Sequence, residues 1–398
     1  MKVRKRIRAI LIPILASILI SINPAYIGAE KAEEHLLITG KSAVLLEAET
    51  GKVIYEKNKD TPLMMASITK IMTLLLIFEA LETGKITLED KVSVSEYAAG
   101  MGGSQVYLEP YETQTVKDMI KCISIASAND ASVAMGEYIG GSEIEFVKQM
   151  NEKAKKLGME NTHFLNCCGL DGDIESGHYS SAYDIALMSR ELIRKYPQIS
   201  EYSTVWMDSI IHTTKKGESE FGLTNTNKLV RSYDGITGLK TGSTSKAKYC
   251  LSATAKRKGM DMIAVVMAAE SPKDRFLDGA KLLDYGFANC KLYTDTEKEN
   301  VIPSLSVRGG KEEQVTAKME GDFSYVCIRQ ENPEAMEKKI IWKEKIEAPI
   351  KKGDKLGEIQ YYLSGKQVGS KDLVSSQNIE KAHYLDYFGK IVNRYFVK

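Results

Sequence analysis

Between Ser67 and Leu81 the apolar residues Ile68, Ile71, Met72, Leu75, Leu76, Phe78 and Leu81 keep helical spacing, and Thr83-Gly84 stops the run. The segment is apolar on nearly every side, so it predicts a helix that the rest of the chain must enclose. A length of 398 residues is ample for such a core and predicts two or three domains. Hydrophobic residues make up 43% and charged residues 27%, ordinary globular values that exclude wholesale disorder.

Around this helix the pattern mixes strands and helices. Ser42–Glu47 and Lys52–Lys57 flank Ala48–Gly51 and predict a β-hairpin. Val116–Ile139 reads as helical with a break near Ser127, and Asp184–Leu192 as a further helix. Gly238–Gly242, Tyr249–Ala255 and Met262–Ala268 predict strands of one antiparallel sheet, closed by a helix over Ala280–Phe287. After Cys290 the pattern changes to short alternating runs: Val301–Val307, Phe323–Arg329, Lys339–Ile346 and Leu356–Leu363. These predict a small all-β domain over 291–374.

Three strings carry the chemistry: Ser67-Ile-Thr-Lys70, Ser127-Ala-Asn129 and Lys240-Thr241-Gly242. S-x-x-K also begins at Ser243 and Ser245, and S-x-N also begins at Ser21 and Ser376, so each string alone is weak. Only Ser67 opens the buried helix and has both other strings downstream. A serine hydroxyl needs a neighbouring base to become a nucleophile. Ser67 and Lys70, at i and i+3, share one helix face. The positive end of the helix dipole also favours a developing oxyanion beside Ser67. Lys70 serves as base once burial and a second cation such as Lys240 lower its pKa. Ser127 can relay the proton to a leaving amine, and Asn129 offers a donor and an acceptor to a substrate amide. Lys240, Thr241 and Gly242 add an ammonium, a hydroxyl and a residue that permits close backbone approach. Taken singly, Ser67 also fits a helix N-cap, Lys70 a snorkelling lysine, and Lys240 a strand-edge charge.

Composition narrows the alternatives. Lys plus Arg number 54 and Asp plus Glu 53, a balance that argues against nucleic acid as a partner. Six cysteines are too sparse for a disulfide scaffold, and their pairing cannot be read from sequence. There is no C-x-x-C or H-E-x-x-H, and His35, His163, His178, His212 and His383 are scattered, so no metal site and no cofactor are expected. At the N-terminus, five basic residues in Met1–Arg8 precede the apolar run Ala9–Ile22 and the small residues Gly28-Ala29. That order predicts a signal peptide over 1–29 and export. The fourteen-residue run, with Pro13 inside it, is short for an uncleaved spanning helix.

The combination of S-x-x-K, an S-x-N-type motif and K-T-G is the signature of penicillin-binding proteins and class A β-lactamases. The longer context resembles the low-molecular-mass serine-type D-alanyl-D-alanine carboxypeptidases. It does so at Ala66–Thr73, Gly102–Pro110, Ala126–Ser132, His178–Asp184 and Gly238–Ala247. The resemblance runs from about residue 36 to 290 and extends to the β-rich segment that follows. It implies an α+β fold of the β-lactamase/transpeptidase type: a five-stranded antiparallel sheet covered by helices, with a helical subdomain and the site between them. The expected domains are the carboxypeptidase domain over 33–290, the β-domain over 291–374 and a helix over 375–398. By position, the resemblance implies an acyl-enzyme on Ser67, Lys70 as general base and Ser127 assisting proton transfer. It further implies that Lys240, Thr241 and Arg275 meet the substrate's terminal carboxylate. The backbone amides of Ser67 and Ser243 would form the oxyanion hole. Asn166-Cys-Cys-Gly169 departs from the expected Asn-Pro or Asn-Asn and leaves the geometry of that loop open.

The implied reaction is removal of the terminal D-alanine from peptidoglycan stem peptides, with β-lactams as covalent inhibitors. A β-lactamase of class A would carry a glutamate in an E-x-x-x-N loop, and no Glu from Glu137 to Glu220 has Asn four residues on. Transpeptidase or endopeptidase activity would use the same acyl-enzyme. The chain end adds a location. Tyr384, Leu385, Tyr387, Phe388, Ile391, Val392, Tyr395 and Phe396 form one stripe, with Asp386, Lys390, Asn393 and Arg394 opposite. A basic, aromatic-rich amphipathic helix predicts a peripheral anchor on the outer face of the cytoplasmic membrane, against the alternative of a helix docked on the β-domain.

Overall fold

The computed structural model of the protein describes residues 36–171, 176–296 and 302–396. The signal-peptide segment, 1–29, lies outside them. Strands β1 (Ser42–Glu47) and β2 (Val53–Lys57) form the expected antiparallel hairpin. With β3 (Ile236–Thr244), β4 (Lys248–Arg257) and β5 (Met260–Ala269) they build a five-stranded antiparallel sheet in the order β2-β1-β5-β4-β3. The register pairs Val44 with Val265 and Thr241 with Leu251, so the strand carrying Lys240-Thr241-Gly242 is the sheet's edge.

The inner strands are apolar without alternation because both faces are covered. Successive side chains on β1 divide between two cores. Val44 and Leu46 join the large cluster that includes helix α1 (Lys70–Glu82), α2 (Val116–Ser124), α3 (Asn129–Gly140), α4 (Glu143–Lys156) and α5 (Ala182–Lys195). Leu45, between them, approaches Gly286 of helix α6 (Pro272–Asn289) on the opposite face. Helix α1 is enclosed as its sequence requires: every residue from Lys70 to Phe78 is buried. Helix α6 starts eight residues before the expected Ala280, because Ser271 caps Asp274 N–H and Pro272 occupies the first turn.

The segment after Cys290 is β-rich, with boundaries that differ in detail. Strands β6 (Ala317–Met319), β7 (Met336–Trp342), β8 (Lys355–Leu363) and β9 (Lys366–Ser375) form a sheet in the order β6-β9-β8-β7. Its core includes Val315, Met319, Phe323, Ile359, Tyr361, Leu373 and Ile379, and the Phe323 and Tyr361 rings stack with centroids 3.7 Å apart. Of the expected Val301–Val307 strand, only Leu305–Ser306 is extended and paired among the described residues.

The final helix, α7 (Tyr384–Phe396), begins at Tyr384 and not at the expected residue 375. Residues ahead of it are held by the β-domain: Ile379 pairs with Ile350 and is 1% exposed, and Lys311 N–H donates to Glu380 O. No helix among the described residues is long and apolar enough to cross a membrane.

Candidate active site

Ser67 stands in a single 3-10 turn, Ala66–Thr69, and α1 begins only at Lys70. The serine therefore precedes the α-helix expected to carry it. The pairing survives because side chains at i and i+3 eclipse in a 3-10 turn. Lys70 Nζ lies 3.0 Å from Ser67 Oγ, 2.6 Å from Asn129 Oδ1 and 2.6 Å from Cys168 O. Those contacts match the three N–H bonds of an ammonium. They equally suit a neutral amine that gives two N–H bonds to Asn129 and Cys168 and receives the Ser67 O–H on its lone pair. The side chain is fully buried, and burial pushes its pKa down to about 8 against weaker opposition from Cys168, Cys167 and Asp130.

The second string follows from a backbone irregularity. Between α2 and α3, Ser127 adopts φ 62°, a left-handed conformation that a non-glycine residue holds only under constraint. Its Oγ accepts from Lys240 Nζ at 2.8 Å. Lys240 is itself 1% exposed and also donates to Thr241 O at 3.1 Å. Burial, reinforced by the Lys70 and Arg275 charges, holds Lys240 well below the usual lysine range. Two buried lysines with lowered basicity thus share one site, an arrangement that favours an anionic ligand.

Close approach joins the third string to the first. A Cβ on Gly242 would lie 2.6 Å from Met65 O and 3.1 Å from Ile68 N, so only glycine lets β3 press against the serine turn. Ser243, next on β3, pairs with Tyr249. Thr241 Oγ1 reaches Thr226 Oγ1 at 2.7 Å.

Two residues make contacts other than those expected. Asn129 uses Oδ1 on Lys70 and donates Nδ2 to Gly102 O at 2.7 Å, so it holds the candidate base and keeps one N–H and one lone pair for a ligand. Arg275 donates Nη1 to Gly242 O at 3.0 Å and Cys250 O at 3.4 Å, with its guanidinium 4.8 Å from the Phe276 ring centre. It is a cation braced on the backbone of the strand that bears Lys240 and Thr241.

Sequence reasoning missed the groups that act through the main chain. Cys168 O receives Lys70, and Cys167 O receives Thr73 Oγ1 at 2.6 Å. The loop that departed from expectation is ordered by Asn166, whose Oδ1 accepts from Gly169 N at 2.6 Å and Cys168 N at 3.2 Å. Gly169 (φ 80°) has room for no side chain: a Cβ would sit 2.0 Å from Ala66 O. All six cysteines are free and buried.

Two buried titratable groups support this arrangement. His178 Nδ1 accepts from Leu165 N–H, which leaves Nε2–H to donate to Thr69 Oγ1 at 2.8 Å while Thr69 donates to Ala66 O. Burial lowers its pKa to about 4, keeping it neutral. Asp130 accepts from Val106 N and Leu108 N at 3.1 Å, fixing the loop whose Ser104 O receives Asn129 N–H. The serial placement of His178 and Asp130 in the resembling stretches was the available signal.

Known proteins share this architecture. The family described as D-alanyl-D-alanine carboxypeptidase matches residues 29–271, and the penicillin-binding protein 5 C-terminal domain matches 291–381. D-alanyl-D-alanine carboxypeptidase DacF of Bacillus subtilis is 44% identical over 357 residues, 90% of either chain. Penicillin-binding protein 5 of Haemophilus influenzae superposes with a TM-score of 0.74 at 29% identity, covering 87% of this chain and 98% of that one. Penicillin-binding protein D2 of Listeria monocytogenes, solved in its ampicillin-bound form, gives 0.56 at 33% identity over 63% of this chain and 99% of its own. The match across more than half of the sequence, with the three strings assembled in one site, makes this chain a member of the low-molecular-mass penicillin-binding, D-alanyl-D-alanine carboxypeptidase family.

Proposed function

We propose that this protein is a penicillin-binding serine D-alanyl-D-alanine carboxypeptidase that trims the terminal D-alanine from peptidoglycan stem peptides, with Ser67 as the acylated residue. The observation that carries the assignment is the 3.0 Å approach of a buried, weakly basic Lys70 to Ser67 Oγ.

The chemistry follows from these contacts. Neutral Lys70 takes the Ser67 proton as Oγ attacks the carbonyl of the penultimate D-alanine. Asn129 and Cys168 O keep Nζ in place through the transfer. Backbone amides of Ser67 and Ser243 receive the developing oxyanion. The proton taken by Lys70 is relayed through Ser127, which is bonded to Lys240, to the departing amine, so that Ser127 keeps its hydroxyl and Lys70 is neutral again. D-alanine leaves, and water attacks the acyl-enzyme with Lys70 again as base. The terminal carboxylate is held by Lys240 and Thr241, with Arg275 adding positive potential through the strand. A penicillin acylates Ser67 in the same way, and the absence of an E-x-x-x-N glutamate between the second and third strings favours a long-lived adduct over β-lactamase turnover.

The basic, apolar and small-residue order of 1–29 supports export, with the carboxypeptidase domain over 33–290, the β-domain over 291–374 and the terminal segment beyond. Tyr384, Leu385, Tyr387, Phe388 and Ile391 on α7 are all exposed, whereas Lys390 Nζ turns to Gly310 O of the β-domain at 2.9 Å. An apolar face left open while Lys390 is engaged by the β-domain supports peripheral attachment to the outer face of the cytoplasmic membrane.

The test is release of D-alanine from diacetyl-L-Lys-D-Ala-D-Ala by the purified protein, and loss of that release after preincubation with benzylpenicillin. A protein that binds the peptide and liberates no D-alanine contradicts the assignment.

A further inference from the structure

Thr226 belongs to none of the three strings, yet its hydroxyl is the side-chain partner of Thr241. The 2.7 Å Oγ1–Oγ1 contact places it against a residue that the proposed reaction uses to hold the substrate's terminal carboxylate. Its main chain is tied to the segment that bears Ser127 as well: Thr226 N–H donates to Ile125 O at 3.2 Å, two residues before Ser127.

The flanking residues hold it rigidly. Asn225, 4% exposed, donates Nδ2 to Ser203 O at 3.0 Å and Val205 O at 2.7 Å, and its Oδ1 accepts from Asn227 N at 2.9 Å. Asn227, 1% exposed, accepts on Oδ1 from Leu229 N at 3.1 Å. Two buried amides therefore fix the backbone on either side of one half-exposed threonine. A hydroxyl held in this way keeps its partner without reordering when a ligand arrives.

We infer that Thr226 is a positioning residue for the terminal carboxylate, acting through Thr241; the inference rests on the carboxypeptidase reading above. Proton counting explains why a hydroxyl is needed there. Thr241 has one O–H, and in this structure it points to Thr226. A bound carboxylate can only accept, so Thr241 must turn that proton to the ligand. Its lone pair then faces Thr226, whose own O–H rotates to donate. The result is an ordered chain, Thr226 O–H to Thr241 O–H to carboxylate, in which each bond polarises the next. A terminal carboxamide brings its own N–H donors, so it can donate to Thr241 while Thr241 keeps its bond to Thr226. The chain thus serves a free acid, whereas an amide does not require the Thr226 proton.

The experiment compares the full-length wild type, Thr226→Val and Thr226→Ser on peptides ending in D-Ala-D-Ala and in D-Ala-D-Ala-amide. Valine keeps the volume and removes the hydroxyl, while serine restores it. Thr226→Val is expected to lower kcat/KM for the acid by roughly three- to ten-fold, mainly through KM, and to leave the amide nearly unchanged. Thr226→Ser is expected to return the acid to within about two-fold of wild type by retaining that bond. Thr226→Ala repeats the measurement should valine disturb the Asn225–Asn227 segment. Equal losses on acid and amide, or no loss on the acid, overturn the role of Thr226 alone. A wild type that cleaves acid and amide equally overturns carboxylate recognition itself, and this inference with it.

Discussion

Lys70 Nζ lies 2.6 Å from the main-chain carbonyl of Cys168. The loop that departs most from family expectation in its side chains thus supports the candidate base with its backbone. With Asn129 Oδ1 also at 2.6 Å, two acceptors hold the nitrogen, and the third direction is left for Ser67.

This geometry sets the expected response of the base. Lys70→Arg retains charge but cannot lose its proton at accessible pH, so acylation by penicillin is expected to fall at least about a hundred-fold, the usual scale for losing a general base. In the wild type, the lowered pKa of about 8 means that the neutral form grows as pH rises towards that value. The acylation rate is therefore expected to climb with pH through the neutral range and level off above about 8. A flat profile from pH 6 to 9, in stopped-flow acylation kinetics, would remove Lys70 from the role.

Lys240→Ala and Arg275→Ala are expected to differ. In the proposed reaction Lys240 gives Nζ directly to the carboxylate, so its loss should weaken acid-terminated peptides by about 1.5–3 kcal/mol, roughly ten- to a hundred-fold, and amidated ones less. Arg275 bonds the main chain of β3 and β4, so its loss should also lower the melting temperature. Steady-state kinetics on both peptide types, with thermal unfolding of each variant, separates the two. Equal selectivity and unchanged stability for Arg275→Ala would contradict its bracing role.

Gly169→Ala tests the contact between the Asn166 loop and the serine turn. The added Cβ would lie 2.0 Å from Ala66 O at a φ of 80°, so something must move. The expected cost is at least about 1–3 kcal/mol of stability, the scale of overpacking and left-handed strain, together with a large fall in acylation rate. Chemical denaturation and penicillin-labelling rates check both. A variant as stable and as reactive as wild type would show that the loop can retreat without disturbing Ser67.

How much of this was legible beforehand depended on whether a residue acts through its side chain. Ser67, Lys70, Ser127 and Lys240 do, and their spacing was readable. So was the close approach at Gly242, read from Lys240-Thr241-Gly242, whereas Cys168 O and the missing Cβ of Gly169 act through the backbone of a loop that carries no such residue-type signal. The same holds for the fold. Helix α1 was evident because it is enclosed on all sides. Helix α4 was not, since only Phe146, Met150 and Ala154 of its fourteen residues are buried. Strand β9 was missed because just its last three residues, Leu373–Ser375, are buried. The hairpin of Met207–Thr214 and Gly217–Thr224 is largely exposed, so its sequence lacks the alternation that marks a half-buried pair.

Truncation tests the terminal helix. Cutting at Ile379 would remove a buried core side chain, so the informative deletion is Tyr384–Lys398. That deletion is expected to abolish sedimentation with vesicles containing anionic lipid while D-alanine release stays within about two-fold of the full chain. The apolar side chains removed are each worth roughly 1.5–3 kcal/mol when fully buried. Vesicle binding that survives the deletion would place the attachment elsewhere.

The most direct measurement of the central claim is covalent labelling of wild type and Ser67→Ala with a fluorescent penicillin, followed by intact-protein and peptide mass spectrometry. The account predicts one adduct per wild-type chain, located on the peptide containing Ser67, and none on the Ala variant while Lys70, Ser127 and Lys240 remain in place. An adduct on Ser67→Ala at the wild-type rate, or a wild-type adduct on any other residue, would contradict it.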